Sequence, residues 1–587
     1  MVERPVPDRP GRLVVVTPWY PTSGHPYWGV FVRRTTQALL EQFPDPLVVH
    51  VSSHPPGTAP APAREVVDGI EVLRVPFETE PAAPRDEVAR LTRAALEPHA
   101  DELAAATAVH VHVGLPTGWA VVDLVGERVP VLVTEHASYV NRLLSEPATA
   151  ALYAQTVRGA AAFSTVNEDL TRVLRGRYPD RAATISTVHN VIDVERLTER
   201  EHPPRRFDRW LYVGNVLEAK GVLRLVRAFA AWRARRPAAT LTIAGAGVDL
   251  ERMRALADEL GVLDAVTFLG RVDPTHIAEV YHRADLMVHL SRSETFGMAS
   301  AEALATGLPV VATATRGGVR TLDVAQDLWM SWLVDVGEDV EPVLVAVEGL
   351  EARLGSARPH LVREDLAFRF GPAAVGADVG RLLRGEPAPE PDPDAPLVVA
   401  IALHRSALRR SARIAQDAAR RGARAVLVAD SALEADVDDR VRVLEVGDVR
   451  YDMITHRLER WGLDGIPRVL LAVARPFARA LGREATIDAL GERQRAAGLW
   501  WRRAVGERLV HAHVDPLVLG RYVLREHAEA IADPTVVVWG DPRGIPLAAR
   551  IARAYTNAQV IPAMHHDAVV ELLREAAAGR DEITREA

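Results

Sequence analysis

The most informative pattern in this chain is the stretch SRSETFGMASAEALATGLPVVATATRGG, residues 291–318. The apolar run before it, residues 286–290, has the length and composition of a buried strand. Glu294 lies in the following loop, Gly297 permits a turn, and residues 298–306 have the composition of a helix. The pattern therefore predicts a helix N-terminus beside the end of a strand. The unpaired N–H groups there favour an anion such as a diphosphate.

Glu294 and Glu302 are separated by seven residues across this predicted junction. One carboxylate would project from the loop and the other from the second helical turn, so both can point at one elongated ligand. A charged acceptor strengthens each hydrogen bond, which suits carboxylates to sugar hydroxyls. For either glutamate alone, a solvated acid near a favourable helix dipole is the simpler interpretation.

Apolar strand-like runs alternate with helical patterns through most of the chain. The predicted strands are residues 13–16, 47–51, 70–75, 109–113 and 131–134, and then 210–213, 241–244, 266–269, 286–290 and 309–313. Strands spaced by helices pair in parallel through right-handed crossovers. The sequence predicts an α/β protein with two Rossmann-like, doubly wound domains facing a cleft: an N-terminal lobe over residues 1–200 and a C-terminal lobe over 201–384.

A linker and a further domain are predicted after the second lobe. Residues 385–396, GEPAPEPDPDAP, favour an extended, solvated segment. Residues 397–587 again alternate strand and helix patterns, which predicts an additional α/β domain with a Rossmann-like sheet. It can be interpreted as a degenerate half-domain that docks an acceptor, a partner or a second copy, or as a scaffold without a ligand.

Composition limits the class of protein. The chain has 587 residues, 48% of them hydrophobic and 25% charged, and its net charge is -8, which argues against a nucleic-acid binder. It has no cysteine, and residues 1–12 have no apolar signal core, so we expect a cytoplasmic protein. Contact with the inner face of a membrane is an alternative for its location.

Residues 291–318 resemble the signature of the retaining family 4 glycosyltransferases (glycosyl transferases group 1), which have the GT-B fold. Both glutamates and residues 307–313 and 317–318 match that signature. The resemblance implies that Glu294 contacts the donor sugar and that Glu302 contacts the nucleoside ribose. It also implies that backbone amides receive the diphosphate, namely those of Thr295, Phe296, Gly297 and Met298.

Other segments are similar to the family in the same order along the chain. Residues 17–34 resemble its opening strand and loop, in which Gly29 would permit close approach to the ligands, although a simple strand-to-helix turn uses glycine equally well. His136, at the end of a predicted strand, matches a position where a histidine often reaches the sugar; a purely structural histidine is the equal alternative.

The sequence departs from the family pattern at Asn215. The family usually has an arginine there, followed by the lysine that Lys220 matches, and both cations would hold the diphosphate. Asparagine donates hydrogen bonds but carries no charge. Arg292 and Arg316 are candidates to compensate. The substitution of asparagine for arginine bears on the rate of catalysis more than on donor binding.

The resemblance implies transfer of a hexosyl unit from a UDP- or GDP-linked sugar to an unknown acceptor such as a glycan, glycolipid or small molecule, as in polysaccharide biosynthesis. It implies no metal and no cofactor besides the donor. His511, His513, His565, His566 and Asp567 form compact groups but not a complete ligand set. The alternatives are a non-catalytic nucleotide-sugar sensor or scaffold, and an epimerase or phosphorylase of the same fold.

Overall fold

A computed structural model describes residues 12–386, 392–429, 437, 440–446, 516–542, 544–555 and 558–563. The chain divides into two compact units, Met1–Pro387 and Ala388–Ala587. The predicted linker falls partly on residues 387–391, which lie outside the described residues. Within the described residues, the helices are all too short or too polar to cross a bilayer.

The first unit begins with an eight-stranded sheet in the order β3-β4-β2-β1-β5-β6-β7-β8. Its strands are β1 (Leu13–Thr17), β2 (Leu47–His54), β3 (Ala63–Val67), β4 (Ile70–Glu78), β5 (Ala108–His112), β6 (Val131–Glu135), β7 (Ala162–Thr165) and β8 (Ile185–Thr187). The helices are α1 (Val30–Ala38), α2 (Arg85–Leu96), α3 (Ala100–Ala104), α4 (Trp119–Val125), α5 (Val140–Ser145), α6 (Pro147–Gly159) and α7 (Glu168–Arg177). Apolar clusters cover both faces of the sheet, as continuous apolar strands require.

Two local features of this sheet differ from the sequence prediction. Strand β3 was not predicted, because its sequence AREVV is mostly polar and exposed; it pairs antiparallel with β4, whereas the other pairings are parallel. The amphipathic residues 86–106, whose pattern predicts one helix, form two helices, α2 and α3, which a short 3-10 turn containing Pro98 separates. Proline lacks the N–H that a continuous helix needs.

A six-stranded parallel sheet follows in the order β11-β10-β9-β12-β13-β14. Its strands are β9 (Arg209–Val213), β10 (Thr240–Ala244), β11 (Val266–Gly270), β12 (Leu286–His289), β13 (Val310–Thr313) and β14 (Ser331–Val334). The helices are α8 (Val222–Arg235), α9 (Leu250–Glu259), α10 (Ile277–Arg283), α11 (Met298–Ala305), α12 (Arg316–Asp327), α13 (Glu341–Glu351), α14 (Pro359–Phe370) and α15 (Pro372–Leu383). This is a doubly wound sheet, with a ligand crevice expected where the strand order reverses.

Helix α15 returns the chain to the first lobe. Its apolar residues Val375, Val379 and Leu383 join the core beside β1 and α1. Gln42 donates a hydrogen bond to the carbonyl of Gly376 at 2.9 Å. The two sheets therefore belong to one compact unit with the GT-B arrangement of two Rossmann-like lobes.

The second unit contains a five-stranded parallel sheet in the order β17-β16-β15-β18-β19. Its described elements are β15 (Leu397–Ala402), α16 (Arg405–Arg420), β16 (Arg424–Ala429), β17 (Val441–Glu445), α17 (Pro516–Glu526), β18 (Val536–Trp539), α18 (Ile545–Ala554) and β19 (Gln559–Pro562). Asp541 is buried and accepts a hydrogen bond from the Leu403 amide at 2.9 Å, so it joins the ends of β15 and β18. The Rossmann-like sheet predicted here is present.

Candidate functional site

The loop between β12 and α11 lies in the cleft of the first unit, as its sequence predicts. Gly297 precedes the first residue of α11 with a φ of 85°, a left-handed conformation that favours glycine. Asn167 of the other lobe donates a hydrogen bond to the Thr295 carbonyl at 3.0 Å, and Gly317 packs so closely under this loop that a Cβ would lie 2.1 Å from the same oxygen. The first N–H groups of α11 therefore sit on a loop that both lobes hold.

Glu294, Lys220 and His289 converge in this loop. The Lys220 ammonium donates to Oε1 of Glu294 at 2.7 Å, and Nε2 of His289 lies 2.9 Å from the same oxygen. Residues from three elements thus meet at one carboxylate: β12, the loop after it, and the turn that precedes α8. Two of the three were predicted as site residues; His289 was not.

Burial alone would raise the pKa of Glu294, but the hydrogen bond and charge of His289 and the charge of Lys220 lower it to about 2. The carboxylate is therefore ionised at neutral pH. The ring of Tyr212 stacks on His289 with centroids 5.5 Å apart and fixes its plane. Glu294 is a rigid, charged hydrogen-bond acceptor.

A cavity of about 570 Å³ opens between the lobes beside this carboxylate. Six of the predicted site residues line it: Gly29, His136, Asn215, Lys220, Thr295 and Met298. Glu294 lines a smaller neighbouring cavity of about 110 Å³, which shares Ala137, Ser138 and Thr295 with the larger one. The volume of the larger cavity is in the usual range for small-molecule sites.

Glu302, which the sequence predicts to contact the ribose, already accepts hydrogen bonds within the protein. Its Oε1 accepts a hydrogen bond from Arg34 of the opposite lobe at 2.6 Å, and its Oε2 accepts one from the Tyr281 hydroxyl at 3.1 Å. Arg34 lies on α1 and is almost fully buried. A carboxylate has about four lone-pair sites, so further donors can still be accepted.

His136 contacts both the cavity and a buried histidine pair. Its Nε2 lies 2.8 Å from Nδ1 of His112, and its ring packs against Phe31 with centroids 4.6 Å apart. His112 packs in turn on His110. Burial lowers the pKa of His110 and of His136 to about 3, so these rings are neutral at pH 7. His136 therefore presents a neutral ring whose position His112 sets.

Asn215 is exposed at the cavity, and its carbonyl accepts a hydrogen bond from Tyr212 at 2.7 Å. Arg292, a candidate to replace the missing cation, points elsewhere: it pairs with Glu338 at 2.5 Å in a separate cavity. In the free protein an exposed acid therefore holds Arg292 away from the cavity that Lys220 lines, and its role as a compensating cation stays a prediction. The side chain of Arg316 lies outside the described part of the chain.

Two predicted site residues, Gly29 and Phe296, have local structural reasons for their identity. Gly29 has a φ of 64°, and a Cβ there would lie 2.1 Å from the Trp19 carbonyl, so glycine is required by the fold of the loop itself. The Phe296 side chain is buried against Phe370, with centroids 5.0 Å apart, and leaves only its main chain for a ligand.

No group of three or more His, Cys, Asp or Glu side chains is placed to hold a metal ion within the described residues. The histidines at 511, 513, 565 and 566 and Asp567 lie outside them.

Comparison with known families gives two adjacent matches. Residues 56–196 match the model of Glycosyltransferase Family 4, and residues 195–340 match that of Glycosyl transferases group 1. The second match contains the loop with Glu294, and the two meet between the lobes.

Curated relatives and solved structures agree with these matches. The chain is 28% identical to a glycogen synthase of Mycobacterium tuberculosis over 44% of this chain and 62% of the relative. It is 32% identical to a D-inositol 3-phosphate glycosyltransferase of Corynebacterium jeikeium over 39% of this chain and 60% of the relative. The chain thus spans about 60% of the length of these relatives. A sucrose-phosphate synthase structure from Thermosynechococcus elongatus superposes with a TM-score of 0.53 at 20% identity, over 64% of this chain and 98% of that one, which is a likeness of fold.

Proposed function

Because this chain belongs to glycosyltransferase family 4 and has the GT-B fold, we propose that it transfers a hexosyl unit from a nucleotide-sugar donor to an acceptor, with retention of the anomeric configuration. The observation that carries the proposal is the meeting of Lys220, His289 and the ionised Glu294 beside the N-terminus of α11. This places a cation, free amides and a fixed acceptor around one point in the cleft.

The donor diphosphate lies at the N-terminus of α11 in this proposal. The amides of residues 295–298 and the Lys220 ammonium donate to its oxygens, where negative charge develops as the sugar leaves. Lys220 is bound to Glu294 in the free protein, so it turns toward the phosphate when the donor binds. Glu294 then accepts a hydrogen bond from a donor hydroxyl in place of the lysine.

Retention follows if the acceptor attacks from the face that the diphosphate leaves. The acceptor oxygen bonds to the anomeric carbon, the bond from that carbon to the phosphate oxygen breaks, and the acceptor's proton passes to the departing phosphate. Electrons and protons balance without a further protein base. Glu302 has lone pairs left for the ribose hydroxyls, and neutral His136 lines the cavity from the N-terminal lobe.

A screen of UDP-, GDP- and ADP-linked sugars by thermal shift, followed by assays of nucleoside diphosphate release, tests the proposal. We expect one donor class to raise the melting temperature by mass action and to be hydrolysed slowly without an acceptor. Glu294→Gln should lower release by about 100-fold or more, the usual size for loss of a transition-state contact. The matched control is Glu338→Gln, an exposed acid outside the cleft. Absence of binding by any donor at millimolar concentration contradicts the proposal.

A second candidate is a sensor or scaffold that binds the donor without turnover. Asn215 supplies no charge and Arg292 is held by Glu338, so Lys220 is the one arginine or lysine among the described residues that line the cavity. The same assays separate the two functions, because a sensor is stabilised by the donor but releases no nucleoside diphosphate.

A further inference from the structure

The cavity between the lobes is divided chemically. The side formed by the C-terminal lobe carries Asn215, Lys220, Thr295 and Met298, which contact the donor in the proposed function. The side formed by the N-terminal lobe, here called the aromatic wall, consists largely of aromatic rings: Trp19, Tyr27, Trp28, Phe31, His136 and Tyr139. Since the donor occupies the other side, this aromatic wall faces the acceptor.

The aromatic wall is held in a defined shape. Trp19 packs edge-on against Phe31 with centroids 6.0 Å apart, and Phe31 packs on His136. Trp28 stacks on His25 at 4.4 Å and is still 47% exposed, so one of the largest apolar side chains of the chain is kept open to a ligand. Preformed rings of this kind bind at low entropic cost.

Charge is scarce on this side. Among the described residues that line the cavity, Lys220 is the only Lys, Arg, Asp or Glu, and Glu294 already binds it. Arg271 lies over the ring of Tyr27, 4.6 Å from its centroid, and also donates to the Tyr27 hydroxyl. Arg85 lies over the ring of Tyr139 at 4.2 Å. Each arginine packs against a ring of the aromatic wall and helps to hold that ring in place. Neither arginine lines the cavity itself.

An anionic acceptor would lose hydration in this cavity without gaining a cation. Moving a charge out of water is costly unless a partner meets it. The one lysine is needed by the donor diphosphate, whose own charge would repel a second anion nearby. The cavity therefore disfavours sugar phosphates and other charged acceptors.

We propose that the acceptor is an uncharged saccharide whose ring stacks on the aromatic wall, with Trp28 as the main platform. A pyranose presents an apolar C–H face that suits such rings. Its hydroxyls suit Ser138 and Asn190, neutral donors and acceptors that line the same space. The proposal rests on the proposed function and specifies the acceptor class of that site.

The test uses the full chain, the donor found by screening, and matched acceptor panels. The neutral panel contains methyl hexopyranosides and neutral disaccharides; the anionic panel contains hexose 6-phosphates, inositol phosphate and glucuronic acid; octanol represents an apolar alcohol. We expect neutral saccharides to stimulate nucleoside diphosphate release at least tenfold above the anionic panel. Preference for an anionic acceptor or for octanol, or no stimulation by any neutral saccharide, overturns the proposal.

A variant series locates the platform. Trp28→Ala should raise the acceptor KM about tenfold relative to the donor KM, because it removes the stacking surface, and Trp28→Phe should recover most of that loss. Trp329→Ala, at another exposed tryptophan far along the chain, is the matched control. An acceptor KM that does not change in Trp28→Ala contradicts the assignment. Donor hydrolysis without acceptor reports separately on the proposed function, so the two can fail independently.

Discussion

Nη1 of Arg34 lies 2.6 Å from Oε1 of Glu302, and this ion pair joins α1 of the first lobe to α11 of the second. Their side chains are 9% and 13% exposed, so the pair is shielded from water. Because α11 also carries the amides of the candidate diphosphate site, the pair joins that candidate site to the N-terminal lobe.

Removing Arg34 should therefore destabilise the first unit. Arg34→Met leaves the largely buried Glu302 carboxylate with the Tyr281 hydroxyl but without its cation, and breaking such a pair typically costs about 3 kcal/mol. The measurement is urea unfolding followed by tryptophan fluorescence. Arg235→Met, which breaks an exposed pair with Glu348, is the control and should cost less than about 1 kcal/mol. Equal effects of the two variants would show that the interlobe pair is not a structural link.

The low pKa of Glu294 gives a pH dependence with a definite sign. Its pKa in the folded protein is about 2, below the usual 4.5, so its charge stabilises the fold fully above about pH 4.5 and that contribution is lost as the pH falls toward 2. The stability difference between wild type and Glu294→Gln should shrink on acidification from pH 6 to 3.5. A difference that stays constant over this range would mean that Glu294 is not held as an ion.

His289 should act as a positioning residue for that carboxylate. His289→Phe keeps a ring that can stack on Tyr212 but removes the hydrogen bond to Glu294, so the pKa of Glu294 should rise. We expect donor hydrolysis to fall about tenfold and its acid limb to move to higher pH. His289→Gln, which retains a donor, should recover part of the rate. If donor hydrolysis by His289→Phe is slower but its acid limb stays at the wild-type pH, His289 only packs against its neighbours and does not set the charge of Glu294.

The buried histidines predict a second pH effect, centred nearer neutrality. Burial lowers the pKa of His110 to about 3, below the 6.5 of an unfolded chain, so stability is full above pH 6.5 and declines as the pH falls toward 3. At pH 5.5 one such histidine lowers the free energy of unfolding by about 1.4 kcal/mol relative to its value at neutral pH. His110→Gln should lose less stability than wild type between pH 7.5 and 5.5, and exposed His276→Gln should behave as wild type. Parallel curves for all three proteins would contradict this.

Asn215→Arg should restore a cation to the donor side of the cavity. Asn215 is exposed there, so the longer arginine side chain has room. The positive charge of the arginine would attract the negatively charged diphosphate. We expect nucleoside diphosphates to bind about tenfold more tightly, measured by calorimetry, with no such gain for Asn215→Gln. Equal affinity in the arginine variant would indicate that this position does not face the phosphates.

The sequence predicts the sheets well because their strands are short, apolar on both faces and separated by helices, as in β1, β2, β5 and β6. It does not predict β3, which is polar and exposed and is recognisable only through its pairing with β4. Glycine positions such as Gly297 were assigned for the right physical reason, since the helix begins directly after a left-handed residue.

The site is predictable where a motif is local and not where contacts are distant. Lys220 and Glu294 could each be identified from their own segments. Arg34 and Glu302 are 268 residues apart, and nothing in either segment indicates that they meet. His289 lies within an apolar strand run, where a histidine gives no signal of the carboxylate that it contacts.

A crystal structure of the protein with its nucleotide-sugar donor would show directly how Lys220, Glu294 and the N-terminus of α11 hold the donor. We predict that the pyrophosphate lies within hydrogen-bond distance of the amides of residues 295–298, with the Lys220 ammonium turned from Glu294 toward it and a sugar hydroxyl donating to Glu294. A donor bound elsewhere, or bound in the cleft with Lys220 still on Glu294 and the phosphates away from α11, would contradict it.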